Sequence, residues 1–321
     1  MIKTKQTTLW LILRARLIQL ISVMFGVGVV SFVMMRSLPG DMAFRIAAGR
    51  YGQDNVSAEA ALIVSKELGT NDAPVMSLMS WFGDLLMFNL GDSLVSGEPV
   101  WDMVWHQLGH SLVLAIAGIA ISLAIAIPLG IASAHFLGWF NRIVSWLSIS
   151  IKAVPIFVIG IVLIVLFSIH LQLFPVAGFG HWRYLVLPAM ALGISLAAVS
   201  NRVVYTNTKS VLLSSYYQFA QIKGLRPSRA FVNHGIRNLS LPVVAFVGIQ
   251  FVQVIEGIVM IESLFSWPGI GHGLAHAIFA RDIPVIQGSA LMMGAMFVLL
   301  NTLTDIAIYL IDSRGDDSCY Y

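Results

Sequence analysis

The sequence predicts an all-α membrane protein with six transmembrane helices, and three observations carry that prediction. The 321-residue chain is 58% hydrophobic and only 11% charged, against about 25% charged in an ordinary soluble domain. Six apolar blocks, at roughly 11–35, 111–136, 143–170, 184–204, 239–262 and 287–311, each reach the about 20 residues that a helix needs to cross a hydrocarbon core. Finally, Lys and Arg are distributed among the connecting segments as the positive-inside rule requires.

Taken in order, the N-terminal segment 1–10 carries Lys3 and Lys5, and the first block opens with Arg14 and Arg16, with no acid nearby. This end is expected in the cytoplasm. The first block, 11–35, is too long and too poor in a small-residue cleavage site to read as a removed signal peptide. Segment 36–110 has Arg36, Arg45, Arg50 and Lys66 against nine acids from Asp41 to Asp102, so it is expected outside. It opens on a turn, Pro39-Gly40-Asp41, and its apolar Trp81, Phe82, Leu85, Leu86 and Phe88 suit a helix at the membrane interface or on the bundle. Residues 111–311 hold the other five blocks. The loop at Arg142 and the long loop 205–238 then fall in the cytoplasm, as does the tail 312–321. Asp312, Asp316 and Asp317 make that tail acidic, but acids weigh little in the rule.

Several function classes are disfavoured. The single cysteine, Cys319, allows neither an intrachain disulfide nor a cysteine metal site. His106/His110 and His272/His276 have i, i+4 spacing and could each clip a metal if helical, although such pairs are commonly incidental. No Gly-x-x-x-x-Gly-Lys-[Ser/Thr] occurs, so the chain cradles no nucleotide phosphate of its own. It also lacks Gly-x-Ser-x-Gly and His-Glu-x-x-His, which argues against an intramembrane enzyme. A stand-alone secondary transporter, the alternative of another class, often shows inverted repeats and helices broken at midplane, and the sequence shows neither. No nucleic-acid partner is expected.

The polar loop between the fourth and fifth blocks is the most informative stretch. It carries Lys209, Lys223, Arg226, Arg229 and Arg237 and no acid. Ser215-Tyr216-Tyr217-Gln218 fits a capping box. Lys223-Gly224 fits a helix stop, with the basic residue in the last turn and glycine in the left-handed position. A short bounded helix is therefore expected over 215–223. Pro227 suits the first turn of a second helix, expected to end near Asn238 before Pro242 begins the next span. Such a loop could lie on anionic headgroups, but small Ala220 and Gly224 would admit another protein backbone, which favours docking.

Ionisable residues inside the blocks are costly and default to functional hypotheses. Lys152 can snorkel to the cytosolic side. Asp305 is expected to pair with an Arg or Lys. Glu262 is expected to fix the turn that follows the fifth block. Glu256 is the candidate residue of a translocation path, where its carboxylate would meet a peptide N-terminus or a metal; pairing within the bundle is the alternative.

Two groups of residues resemble a known family. Ala220, Lys223-Gly224-Leu225, His234, Arg237-Asn238 and Pro242-Val243 resemble the cytoplasmic coupling loop of membrane subunits in binding-protein-dependent ABC importers. More narrowly, Glu262, Phe265-Ser266-Trp267-Pro268-Gly269-Ile270-Gly271, Ala277-Ile278, Arg281-Asp282, Pro284-Val285 and Gln287-Gly288 resemble the FSWPG region of the oligopeptide/dipeptide/nickel permease family. Arg36 with Leu38-Pro39-Gly40-Asp41, Gly91-Asp92-Ser93-Leu94, Pro128-Leu129-Gly130, Pro155 with Phe157, Leu187-Pro188-Ala189 and Asp305 extend the likeness over about residues 10–312. Departures are Gln218-Phe219-Ala220 where the general motif begins Glu-Ala-Ala, Ser313 where a proline is usual, and Glu256 where relatives usually carry a small residue.

The resemblance implies a type I ABC importer permease fold in a bacterial inner membrane, with both termini cytoplasmic. It implies a chain with no catalytic residue, cofactor or metal of its own, ATP and Mg being held by cytosolic ATP-binding subunits. Those subunits would meet Gln218, Ala220, Lys223, Gly224, Leu225 and His234. A second homologous permease subunit, an extracytoplasmic solute-binding protein and membrane lipid are the other implied partners. In the FSWPG region, Glu262, Phe265, Ser266, Trp267, Pro268, Gly269 and Gly271 form a structural turn, with Trp267 expected as an interface anchor. The implied substrates are di- or oligopeptides, or alternatively nickel or a metal chelate. Six histidines on or near the outer side (His106, His110, His170, His181, His272 and His276) mildly favour metal.

Overall fold

The computed structural model describes residues 2–37, 42–51, 58–67, 79, 82–85, 87, 89–136 and 138–311. Twelve α-helices are used here: α1 (Ile2–Ser37), α2 (Met42–Tyr51), α3 (Ala58–Glu67), α4 (Val100–His135), α5 (Trp139–Ala153), α6 (Ile156–Leu163), α7 (Arg183–Leu212), α8 (Ser215–Ile222), α9 (Pro227–Ala230), α10 (Ile236–Leu264), α11 (Ile270–Ala280) and α12 (Ile283–Ile311). Among the described residues no strand forms, and one isolated antiparallel bridge joins Asp92 and Pro99. Among the described residues, five helical stretches are long and apolar enough to cross a membrane, and the count reaches six if a bent pair, α5 with α6 and its π-helical continuation Ile164–His170, is one span.

That bent pair corrects the third expected block. Residues 143–170 do not form one straight helix: the two arms diverge by 103°. The cause is local. Pro155 supplies no N–H and crowds the residue before it, which forces Val154 out of the helical region; Val154 adopts φ −87°, ψ 129°. Pro242 behaves in the opposite way. It lies inside α10, so the expected helix end before Pro242 does not occur, and α9 runs through a π-helical turn, Phe231–Gly235, directly into α10. A proline in a spanning helix is tolerated where neighbours re-satisfy the freed backbone group.

The chain divides into two compact units, residues 1–16, 113–266 and 299–321 in the first, 17–112 and 267–298 in the second. The first unit is held together by close backbone approach and by buried polar groups. Between α4 and α7, a Cβ placed on Gly193 would stand 2.5 Å from Ile121 Cγ2 and 3.0 Å from the Gly118 carbonyl, and one on Gly130 would stand 2.7 Å from Val204. Lipid tails offer no hydrophobic driving force between helices, so small residues that let backbones approach supply the packing. Three helices also meet at a polar point. The Gln250 amide on α10 donates to Ser122 Oγ on α4 at 3.1 Å and to Ser200 Oγ on α7, while Ser200 donates to the Leu196 carbonyl at 2.7 Å. All three side chains are buried. Arg16 on α1 pairs with Asp305 on α12 at 2.6 Å, which gives Asp305 the basic partner expected of it.

In the second unit α2 and α3 pack through Ala43, Ile46, Ala47 and Val64, and Phe82 stacks on Phe25 of α1 with ring centroids 5.4 Å apart. The expected contributions of Trp81, Leu86, Phe88, the Leu38–Asp41 turn and the tail 312–321 lie outside the described residues.

Candidate functional site

Helix α8 forms where the basic loop was expected to fold, but its start differs in detail. Its N-cap is Ser214, not Ser215, and no side-chain capping bond forms. Ser214 Oγ instead donates back to the Val211 carbonyl at 2.6 Å, and Gln218 Nε2 reaches the Leu213 carbonyl at 3.4 Å. The stop is a Schellman arrangement: Gly224 N–H donates to Gln221 at 2.9 Å and Leu225 N–H to Ala220 at 3.2 Å, with Gly224 at φ 88°. Nothing lies within 4 Å of a Cβ built on Gly224. The glycine's left-handed backbone conformation is what this chain itself requires of it, and its Cβ side is open.

Ala220 is likewise explained within the chain. It is 6% exposed and packs with Val211, Tyr217, Ala230, Phe231 and Leu239, against which half-buried Leu225 also rests. The Tyr217 hydroxyl donates to the Pro227 carbonyl at 3.2 Å. This face roots α8 on the body of the first unit. The close approach expected at Ala220 is thus to its own unit. The opposite face is bare: Phe219 is 56% and Ile222 82% exposed, Tyr216 is exposed beside them, and Lys223 Nζ lies 4.7 Å from the Phe219 ring. The i, i+3, i+6 spacing of Tyr216, Phe219 and Ile222 is the sequence signal for this face. His234 is exposed in the π-helical turn, where its carbonyl accepts from Asn238 Nδ2 at 2.7 Å.

The FSWPG residues form a turn between α10 and α11. Glu262 is fully buried in the last turn of α10 and Phe265 is buried after it. The Phe265 carbonyl accepts from Gly178 N–H at 2.9 Å, and Ser266 takes φ 49°. Gly269 N–H then returns to the Trp267 carbonyl at 2.7 Å across Pro268. Trp267 is buried, which corrects its expected place as an interface anchor; its indole N–H donates to the His110 carbonyl at 3.0 Å. Ser111 Oγ accepts from Ile270 N–H at 2.8 Å, satisfying one of the open donors at the start of α11, beside buried Gly271.

Helix α11 ends on Arg281 in the left-handed region, φ 57°. The next residue, Asp282, was noted in sequence only as part of the motif. It is a buried clamp: it accepts from Ser93 Oγ at 2.5 Å, Leu94 N–H at 3.1 Å and Val95 N–H at 3.4 Å. Arg50 Nε closes the same hairpin from α2 by donating to the Leu94 carbonyl at 2.5 Å. Asp282→Ala is expected to leave Ser93 Oγ and the Leu94 amide without this acceptor, at about 1–3 kcal/mol per orphaned group, while Val95 N–H keeps Ser93 Oγ at 3.2 Å. Limited proteolysis should then cut within 91–99, where the wild type is protected.

The His272 and His276 rings sit edge-on with centroids 4.5 Å apart. Burial, and then the neighbouring His276, hold His272 below the ordinary imidazole value. Among the described residues no group of three His, Cys, Asp or Glu is assembled for a metal. The Glu256 side chain lies outside the described residues.

With this geometry in place, comparison with known proteins is decisive. Residues 126–316, which include α8 and the FSWPG turn, match the family described as the binding-protein-dependent transport system inner membrane component. The chain belongs to this family. The glutathione transport system permease protein GsiC of Pectobacterium atrosepticum is 34% identical over 294 residues, 91% of this chain and 94% of that one. The GsiC protein of an Escherichia coli strain is 31% identical over 292 residues, 91% and 94% of the two chains. The nickel import system permease protein NikB of Staphylococcus aureus is 31% identical over 300 residues, 93% and 90% of the two chains. The protein is thus an ABC importer permease subunit of the type I family. Membership of a binding-protein-dependent permease family implies a solute-binding protein and ATPase partners, and a multi-pass place in the inner membrane.

Proposed function

We propose that this permease carries di- or oligopeptides delivered by an extracytoplasmic solute-binding protein, and that separate cytosolic subunits hydrolyse ATP and drive it through α8. The observation that carries the coupling half of this reading is the two-sidedness of α8: Ala220 and Tyr217 fix it to the permease, and Phe219 and Ile222 remain bare for a partner. Gln218, Lys223, Gly224, Leu225 and His234 frame that surface. A rigid, rooted helix transmits a push from closing ATPase subunits to α7 and α10, the kind of rigid-body motion by which such assemblies switch. The path would run between this chain and a second homologous permease, with Glu256 as its candidate polar residue, and both termini would be cytoplasmic.

The peptide half rests on relatives named for glutathione and peptide transport. Import of nickel or a metal chelate is the second reading, favoured by the relative named for nickel import and by the paired His272 and His276 rings. Uptake into proteoliposomes holding the full complex and its cognate binding protein separates the two. ATP-dependent accumulation of labelled tripeptides, with free and chelated nickel left outside, is the expected result. Nickel uptake that excess peptide does not compete would replace the peptide reading.

A further inference from the structure

A cavity of about 930 Å³ lies within the first unit, lined by α5, α7 and the end of α4. That volume sits within the about 300–1,000 Å³ range of ligand sites. Arg142 and Lys152 on α5 and Arg202 on α7 converge on it, and no carboxylate is among its lining residues. Among the described residues none of the three cations forms an ion pair. Two residues of its lining also carry buried polar atoms with no hydrogen-bond partner: Oδ1 of Asn201, 5% exposed, and Oγ of Ser133, 1% exposed. Asn201 uses only its amide nitrogen, donating to Ser148 Oγ at 3.1 Å. Buried polar atoms of this kind are normally paired, and the three cations leave the cavity fit for an occupant that brings negative charge.

The helix that lines the cavity points to that occupant. Helix α5 turns 103° away from the apolar arm that follows it. If that arm crosses the bilayer, α5 lies near the plane of the membrane. Its composition agrees: Trp139, Ile143, Trp146, Leu147 and Ile149 are exposed apolar residues on the helix that carries Arg142 and Lys152. That is the make-up of an interfacial helix with its cations at headgroup level. We propose that this cavity is a binding site for an anionic phospholipid headgroup, a phosphodiester with free hydroxyls of the phosphatidylglycerol kind. The phosphate meets Arg142, Lys152 and Arg202, and the headgroup hydroxyls lie among the polar side chains of the lining, Asn141, Ser145 and Ser148. Through Arg202 the lipid braces α5 against α7, whose far end leads into α8. The inference rests on family membership and not on the proposed substrate.

Trp146 lines the cavity and reports its occupancy. The full complex is placed in vesicles of phosphatidylcholine containing acyl-brominated phosphatidylglycerol or, in parallel, acyl-brominated phosphatidylcholine. Subtracting the Trp146→Phe signal isolates quenching at this position. Phosphatidylglycerol should quench at a mole fraction at least about tenfold lower than phosphatidylcholine, given the weight of each Lys or Arg near an anionic surface. The preference should fall to within about twofold in Arg142→Gln/Lys152→Gln/Arg202→Gln and persist in Arg142→Lys/Arg202→Lys. These side chains are exposed, so circular dichroism of the variants should match the wild type. Equal quenching by the two lipids, or an undiminished preference in the charge-removed variant, overturns the proposal. Loss of the preference on adding millimolar glycerol phosphate also overturns it, in favour of a soluble anion.

Discussion

Ile222→Asp is expected to abolish ATP-driven uptake and release the ATPase subunits, while the amount and fold of the permease stay unchanged. Ile222 is the most exposed apolar residue of α8 and contributes nothing to the cluster beneath it. An isoleucine buried at an interface contributes about 1.5–3 kcal/mol. Placing a carboxylate there adds an unpaired charge to that loss, so association should weaken by more than about a hundredfold. Phe219→Asp should act in the same way, and Phe219→Leu much less. Ala220→Arg should fail differently. Its side chain would enter the space held by Val211, Phe231 and Leu239, so α8 should detach from its seat and become protease-sensitive before any partner is added. Co-purification and limited proteolysis on the two variants separate loss of a contact from loss of the element that presents it.

Gly193→Leu is expected to have the largest effect on the permease itself. Its Cβ would already stand within 2.5 Å of Ile121 and 3.0 Å of a backbone carbonyl on α4. Overpacking of this kind costs about 1–3 kcal/mol when side chains can yield, and a carbonyl yields less than a side chain. The polar point formed by Gln250, Ser122 and Ser200 would be pulled apart with it, because Ser122 and Ser200 sit on the same two helices. The purified subunit should lose its cooperative thermal transition or show a midpoint lower by several degrees. Gly109→Ala is the control: nothing lies within 4 Å of its Cβ, and alanine favours a helix by about 1 kcal/mol, so its midpoint should hold or rise.

Composition made the helical membrane class legible, because 11% charged residues cannot clothe a soluble chain of this size. Hydropathy located the spans but not their breaks. Pro155 and Pro242 both sit in apolar runs; one divides its helix and the other does not, a difference that hydropathy does not carry. The Gly224 stop was readable because a left-handed residue has few substitutes. The role of Ala220 was not, since a small residue announces close approach without saying whose side chains approach. Trp267 shows the same limit. Tryptophan is common at interfaces, but here its ring is buried and its N–H is taken by the His110 carbonyl, a partner far along the sequence. Asp282 was read as a motif letter, and only the fold brings Ser93, Leu94 and Val95 to its carboxylate.

The central claim is that α8 meets the ATPase through its bare face and the permease through its buried one. Photo-crosslinking from single positions on α8 in the assembled importer tests it most directly. A crosslinker at 219 or 222 should attach to the ATPase subunit, and one at 217 or 220 should attach within the permease. The reverse pattern, or no ATPase adduct from 219 and 222 in an importer that transports, would contradict it.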